Sequence, residues 1–266
     1  FLKKNALKLS DHIKLKSYCE KINISYLCTP FSLKAAEELY SIGCRDFKIG
    51  SGEMTDIPTL LKISKFARNM IISTGMSELK EINRTYRALK SSNAKISLMH
   101  CVSEYPTKYK DLNLNFINVM KKKFKNLKIG HSDHTSDIYS SIAAVAVGAE
   151  IIEKHVTLNK NLKGPDKDVS ISFGDLKILV SQIRNIEKSL GSKKIIHKKE
   201  KQIRKWAFRS IISTKEILKG ERISSNKIWS KRPGTGIPSY LMQKIIGKKA
   251  KRNIPNNTLL AWGDIK

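Results

Sequence analysis

Three of the six histidines in this 266-residue chain, His131, His134 and His155, sit at the ends of two consecutive apolar, β-rich runs. Imidazole is the commonest side-chain ligand for a catalytic divalent transition metal, and a shell that the protein leaves incomplete has room for water or substrate. If the two runs are neighbouring strands, His134 and His155 can meet at one ion. Otherwise they are hydrogen-bonded loop histidines, and spacing alone does not decide between the two.

A second set of residues suits an anion. Lys48 closes a run followed by Gly50-Ser51-Gly52, Ser73-Thr74-Gly75 closes the next, and Ser132 lies between two of the histidines. Small residues let backbone N–H groups approach a phosphate, hydroxyls add donors, and a strand-end lysine brings the charge. Any one of these glycines could simply make a tight turn; three such edges in series favour the anion. Gly164-Pro165-Asp166 would present a carboxylate on a rigid turn, and Arg232, placed before Pro233, is kept out of the helical region, a pose suited to bidentate recognition of a carboxylate or phosphate. Each of these two also reads as an ordinary turn or surface charge.

The elements that must position these groups follow from periodicity. Short β-rich runs at 24–27, 46–49, 70–73, 96–101, 127–129 and 150–155 alternate with amphipathic stretches at 33–42, 56–66, 77–91, 114–123, 136–147 and 173–190. That alternation is the pattern of βα units with a parallel sheet. Polar and ionisable residues gather after every run, as they do at the C-terminal ends of barrel strands, whereas a doubly wound sheet would concentrate them at one switch point. An α/β barrel is therefore expected, although six strands cannot close the eight-stranded kind. Residues 1–192 form the barrel domain, 193–205 a polar linker, and 206–266 a small β-rich domain with strand-like pieces at 209–213 and 228–231.

Composition limits the function classes. With 40% apolar residues a disordered polycation is excluded, and no apolar run approaches the roughly 18 residues needed to span a bilayer. Cys19, Cys28, Cys44 and Cys101 form no C-x-x-C and lie in apolar segments, so they read as buried thiols in a reducing compartment. With no signal peptide in view, a cytoplasmic location is expected and no membrane partner. Fifty-one Lys and Arg against 23 Asp and Glu give +28, but the excess is mostly Lys scattered among Ile and Asn, the bias of an AT-rich genome. Nucleic acid is therefore not the expected partner.

Taken in order, Phe47-Lys48-Ile49-Gly50-Ser51-Gly52-Glu53, Ile72-Ser73-Thr74-Gly75-Met76, His100-Cys101-Val102-Ser103-Glu104-Tyr105-Pro106-Thr107, Ser132-Asp133-His134-Thr135, Glu153-Lys154-His155 and Gly164-Pro165-Asp166 resemble the sialic acid synthase family. The segment 209–266, with Lys231-Arg232-Pro233-Gly234-Thr235-Gly236, is similar to the antifreeze-like SAF domain that ends those enzymes. The resemblance implies a (β/α)8 TIM barrel followed by a SAF domain, in a domain-swapped homodimer. It implies condensation of phosphoenolpyruvate with an N-acetylmannosamine-type sugar and water to a nonulosonic acid and phosphate, by a metal-dependent, carbon–carbon bond-forming transferase. Carried onto this sequence, Thr29, Lys48, Ser51, Ser73, Ser103 and Ser132 would bind phosphoenolpyruvate. Tyr105, Asp166 and Arg232 would bind the sugar, with Arg232 reaching it from the partner's SAF domain. His134 and His155 would hold Mn2+, with Mg2+ or Co2+ as the other candidates. Lys48 would neutralise the departing phosphate, and Glu153 would orient a ligand or water.

Two departures from the family pattern stand out. Ser103-Glu104 replaces the Asn-aliphatic pair of sialic acid synthases proper, and Ser-Glu-Tyr-Pro is closer to the legionaminate-type branch, which uses 2,4-diacetamido-2,4,6-trideoxymannose. Residues Phe1 to Glu20 match the helix before the family's third strand, so the first two βα units, with a strand-end Glu and Lys, are not in this sequence. The expectation is a fragment or truncated gene product whose activity requires the missing piece, with unpaired edges on an open barrel. The alternative is a non-catalytic, sugar-binding remnant.

Overall fold

Along the first strand of the sheet, Phe47 and Ile49 turn to one side and Lys48 to the other, and this period of two recurs in each strand that follows. The computed structural model describes residues 6–266; the start of the opening helix expected over 1–20 lies outside the described residues. Helix α1 (Leu9–Lys21) and helix α2 (Leu33–Ser41), capped by the Ser32 hydroxyl, lead into β1 (Asp46–Ile49). Then follow α3 (Ile57–Ile63), β2 (Asn69–Ser73), α4 (Leu79–Leu89), β3 (Lys95–Cys101), α5 (Phe116–Lys123), β4 (Lys128–Asp133), α6 (Tyr139–Ala146) and β5 (Ile151–Lys154). All five strands are parallel, in the order β1-β2-β3-β4-β5.

One face of this sheet is a continuous apolar core. Phe47, Ile49, Met70, Ile72, Ile96, Leu98 and Ile129 pack against Ala36, Leu39, Leu60, Ile63, Ile82, Leu89, Ile117, Met120 and Ala144 from the helices. The register puts Lys48, Ser73, Cys101, Ser132 and Glu153 on the opposite face: Ser73 pairs with Met99, Cys101 with Ser132, and Ser132 with Glu153. That face is concave. Strands about 4.8 Å apart would put β1 and β5 about 19 Å from each other in a flat sheet, yet Lys48 Nζ on β1 lies 3.4 Å from Glu153 Oε2 on β5. The sheet must curl to bring them together, as a barrel wall does. The fold is thus α/β, a parallel half-barrel with helices on its convex side.

One strand expectation needs correction. The run at 24–27 forms no strand; its segment joins the sheet only through the Cys28–Phe47 bridge, where Lys48 N donates to Cys28 O at 3.1 Å. Among the described residues nothing pairs with its outer side, and Ile24 and Leu27 are exposed, so the apolar run lacks the neighbour that would stabilise it as a strand. The run at 150–155 forms β5, ending at Lys154, and just beyond it β6 (Val156–Thr157) pairs with β7 (Ile171–Ser172) in a separate sheet. Helix α7 (Phe173–Ser189) then starts on a capping box formed by Ser172 and Asp175.

The chain divides between Gly191 and Ser192. The linker expected over 193–205 contains most of a helix, α8 (Lys198–Ala207). Beyond it, β8 (Ser210–Ser213) pairs antiparallel with β9 (Ile228–Lys231), and a short helix, α9 (Met242–Ile245), follows. These elements enclose a second core of Ile211, Ile217, Ile223, Ile228, Ile237, Ile245, Ile254, Leu260 and Ile265. Among the described residues no helix is long and apolar enough to cross a membrane.

Candidate active site

The floor of the site is the concave face at the C-terminal ends of the strands. Lys48 is buried, and its ammonium donates to Ser73 Oγ at 2.8 Å and to the Ile49 carbonyl at 3.0 Å while facing the Glu153 carboxylate. Ser132, also buried, stands between Cys101 and Glu153 in the strand register. One cation, two hydroxyls and one carboxylate thus share a small polar floor that backs onto the apolar core.

Above it, the loops after β1, β2 and β3 converge on Gly75. Its N–H donates to Ser51 Oγ at 3.0 Å, the Ser51 hydroxyl faces Cys101 Sγ at 3.7 Å, and Ser103 Oγ lies 3.6 Å from the same sulfur. A Cβ on Gly75 would stand 2.2 Å from Ser103 Oγ, 2.9 Å from Ser51 Oγ and 3.0 Å from Cys101 Sγ, so the glycine is there for space.

The histidines complete the rim. His134 accepts or donates at both nitrogens: Nδ1 lies 2.8 Å from the Val102 carbonyl, and Nε2 lies 2.9 Å from the Tyr105 hydroxyl. Since a carbonyl can only accept, Nδ1 carries the proton and Nε2 is left with the lone pair, to which Tyr105 donates. The two rings stack at 4.1 Å, and His155 comes within 5.3 Å of His134, centroid to centroid. His155 Nδ1 is 3.7 Å from Asp166 Oδ2. Burial lowers the His155 pKa, partly offset by the Asp166 charge, and burial pushes the Tyr105 hydroxyl up to about 12. At Cys101 burial works against the thiolate, but the hydrogen bond from His134, with those of the Ser103 and Ser51 hydroxyls, leaves the pKa below that of an ordinary thiol.

Among the described residues no three His, Cys, Asp or Glu side chains converge at ligating distance. The donor set open to an ion is the pair His134 and His155: the Val102 carbonyl fixes His134 as an Nε2 donor, and an incoming ion would displace the Tyr105 hydroxyl from it. Two imidazoles alone suit an ion that takes its remaining ligands from water and substrate.

The comparisons with known proteins fit this arrangement. Residues 1–195 match the NeuB family, and residues 208–266 match the SAF domain. The chain belongs to the NeuB family. It is 40% identical over 264 residues to N,N'-diacetyllegionaminic acid synthase of Campylobacter jejuni, covering 97% of this chain and 78% of that one. Identity to pseudaminic acid synthase of Helicobacter pylori is 33% over 265 residues, covering 99% of this chain and 78% of that one. The crystal structure of N-acetylneuraminic acid synthetase from Leptospira borgpetersenii, in complex with citrate, superposes with a TM-score of 0.69 at 34% identity, over 74% of this chain and 69% of that one. The function of this NeuB chain is of the sialic, legionaminic or pseudaminic acid synthase type.

Of the residues singled out in the sequence, the NeuB fold brings Lys48, Ser51, Ser73, Ser103, Tyr105, Ser132, His134, Glu153, His155 and Asp166 to one mouth. Thr29 is half-buried, directly after the Cys28 bridge at the outer edge of β1, and makes no hydrogen bond with the others. Arg232 follows β9 in the C-terminal unit; its Nε donates to the Ala207 carbonyl at 3.0 Å and its guanidinium lies 5.8 Å over the Trp206 ring. Sequence reasoning missed the Cys101 thiol and the buried pair Asp133–Lys154. Strand parity could have found the first, because Cys101 falls in step with the concave Ser73 and Ser132.

Proposed function

We propose that the chain condenses phosphoenolpyruvate with an N-acetylated mannosamine-type amino sugar and water, releasing phosphate and a nonulosonic acid. The observation that supports this most is the placement of the Lys48–Ser73–Ser132–Glu153 floor beneath the Tyr105–His134–His155 rim. It sets a cation and hydroxyls for a phosphate beside nitrogen and oxygen groups for a sugar carbonyl.

In this reading Lys48, Ser73 and Ser132 hold the phosphate of phosphoenolpyruvate, with Ser51, Ser103 and the Gly75 loop around it. Its C3 forms the new bond to the aldehyde carbon, and the aldehyde oxygen takes up a proton. Glu153 orients the water that adds to the cationic C2 and takes one of its protons, after which the C2–O bond to phosphate breaks, the remaining hydroxyl proton leaves with the phosphate and C2 becomes a ketone. Lys48 stabilises the charge that grows on the departing group. Tyr105 and Asp166 hold the sugar from the rim. His134 and His155 would hold a divalent ion, Mn2+ before Mg2+ or Co2+, which when bound supplies Lewis-acid polarisation of the aldehyde oxygen. Arg232 of the partner subunit would close the sugar site in a domain-swapped homodimer. The sugar itself is taken to be 2,4-diacetamido-2,4,6-trideoxymannose, on the Ser103-Glu104-Tyr105-Pro106 edge and on the higher identity to the legionaminic acid synthase.

Phosphate release from phosphoenolpyruvate in the presence of Mn2+ tests the reading, with N-acetylmannosamine and its diacetamido-trideoxy analogue as acceptors. Faster release with the analogue is expected, and its abolition in His155→Ala. Absence of both release and phosphoenolpyruvate binding by calorimetry would overturn it.

A further inference from the structure

The smaller unit carries a disproportionate charge. Residues 192–266 hold 20 Lys and Arg against 4 Asp and Glu, a net of +16 out of the chain's +28. Three of those four acids are already engaged: Glu221 with Lys227 at 2.6 Å, Asp264 with Arg252 at 2.6 Å, and Glu200 with the His197 N–H at 2.9 Å. The cations left over are not spread evenly. Beside α8 opens a cleft of about 560 Å3, lined by Lys201, Arg204, Lys205 and Arg209 together with the rings of Phe208 and Tyr240, and no carboxylate lines it. None of the four cations forms an ion pair among the described residues.

Two of them are held in place by other means. The Arg204 guanidinium lies 4.6 Å over the Phe208 ring, and Arg209 Nη1 donates to the Ser230 carbonyl at 3.2 Å. Guanidinium groups fixed in this way offer their remaining N–H groups as forks for phosphate oxygens. Tyr240, 82% exposed, presents a ring at the same cleft. The volume falls within the roughly 300–1,000 Å3 of small-molecule sites. Four uncompensated cations exceed what one carboxylate or one simple anion would neutralise, and an exposed aromatic face suits a planar ring. We propose that this cleft binds a nucleotide, its phosphate chain on Lys201, Arg204, Lys205 and Arg209 and its base against Tyr240 and Phe208. Neither the synthase chemistry nor any residue of the barrel mouth is involved.

Isothermal titration of the whole chain with ATP tests this, with inorganic phosphate, N-acetylneuraminic acid and oligo(dT) as comparison ligands. One ATP per chain is expected, bound at least about 10-fold tighter than phosphate or the sugar acid, because ring and phosphates both contribute. The double variant Lys201→Glu/Lys205→Glu should weaken ATP binding about 10-fold or more, whereas Lys219→Glu/Lys251→Glu, with the same change in net charge outside the cleft, should leave it within about twofold. Tyr240→Ala should weaken ATP but not phosphate, and circular dichroism checks that every variant folds. Equal weakening by the two double variants, equal affinity for phosphate and ATP, or binding of oligo(dT) without ATP would each overturn the proposal.

Discussion

Asp133 and Lys154 form a buried ion pair, Nζ to Oδ2 at 3.3 Å, and each immediately precedes one of the two histidines of the site. Both side chains point to the helix-packed face, so their neighbours His134 and His155 are aimed from adjacent strands toward the mouth. Asp133 also accepts from the Ser140 and Ser141 hydroxyls and from the Thr135 N–H at 2.8 Å, and Lys154 donates to the Thr135 carbonyl. Burial disfavours the Asp133 carboxylate, but Lys154 and these donors outweigh it and lower its pKa. Asp133→Asn leaves the Lys154 ammonium buried without its counter-ion, so a loss of roughly 3–5 kcal/mol is expected in urea unfolding. Adding Lys154→Met should recover a large part of that loss. Equal stability of the single variant and the parent would contradict the pair's role.

Lys48 and Glu153 face each other at 3.4 Å but have separable tasks in the proposed reaction. Lys48→Met removes the floor's cation and should weaken phosphoenolpyruvate binding by about 100-fold, the worth of two charge-assisted hydrogen bonds. Glu153→Gln keeps a hydrogen-bonding group beside Lys48 and should preserve binding while slowing phosphate release. Calorimetry and a release assay on both variants decide the assignment, which fails if the two substitutions affect binding alike.

Gly75 has three polar atoms where a Cβ would go. Gly75→Ala must displace Ser103, Ser51 and Cys101 together, so it should cost about 1–3 kcal/mol, as overpacking does. The closest clash is with Ser103 Oγ, at 2.2 Å, and this makes a specific rescue available. Gly75→Ala/Ser103→Gly should regain part of the lost stability, read from thermal melting; no regain would place the strain elsewhere.

Most of the half-barrel and its mouth was legible because strand parity is local information. Lys48, Ser73, Ser132 and Glu153 end apolar runs at positions that a period of two assigns to one face, and the βα alternation turns those ends toward a common mouth. What failed depended on partners that a local window does not contain. The run at 24–27 has the composition of a strand, but among the described residues its segment meets the sheet only at the Cys28–Phe47 bridge, too little pairing to hold it as a strand. Asp133 and Lys154 look like any charged pair until Ser140 and Ser141 of α6 supply the hydroxyls that let them be buried. Thr29 came from the family resemblance rather than from local chemistry, and it lies directly after the Cys28 bridge at the outer edge of β1.

His131 gives the protein an acid-sensitive limb. It is fully buried on the helix-packed side of β4; its Nδ1 donates to the His100 carbonyl at 3.2 Å, and its Nε2 has no hydrogen-bond partner among the described residues. Burial pushes its pKa down to about 4, against a partial upward pull from Asp133. An unfolded histidine titrates near 6.5, so between about pH 6.5 and 4 the unfolded chain binds a proton that the folded chain refuses. Stability therefore falls as pH drops through that window and is unaffected by this group above it. His100, also lowered by burial, adds in the same direction. For His131 alone the loss from pH 8 to pH 5 should be roughly 2 kcal/mol. In urea unfolding at these two pH values His131→Leu should show a correspondingly smaller loss, whatever its stability at pH 8, since leucine has no proton to refuse. Identical losses in parent and variant would mean that the acid limb belongs to other groups.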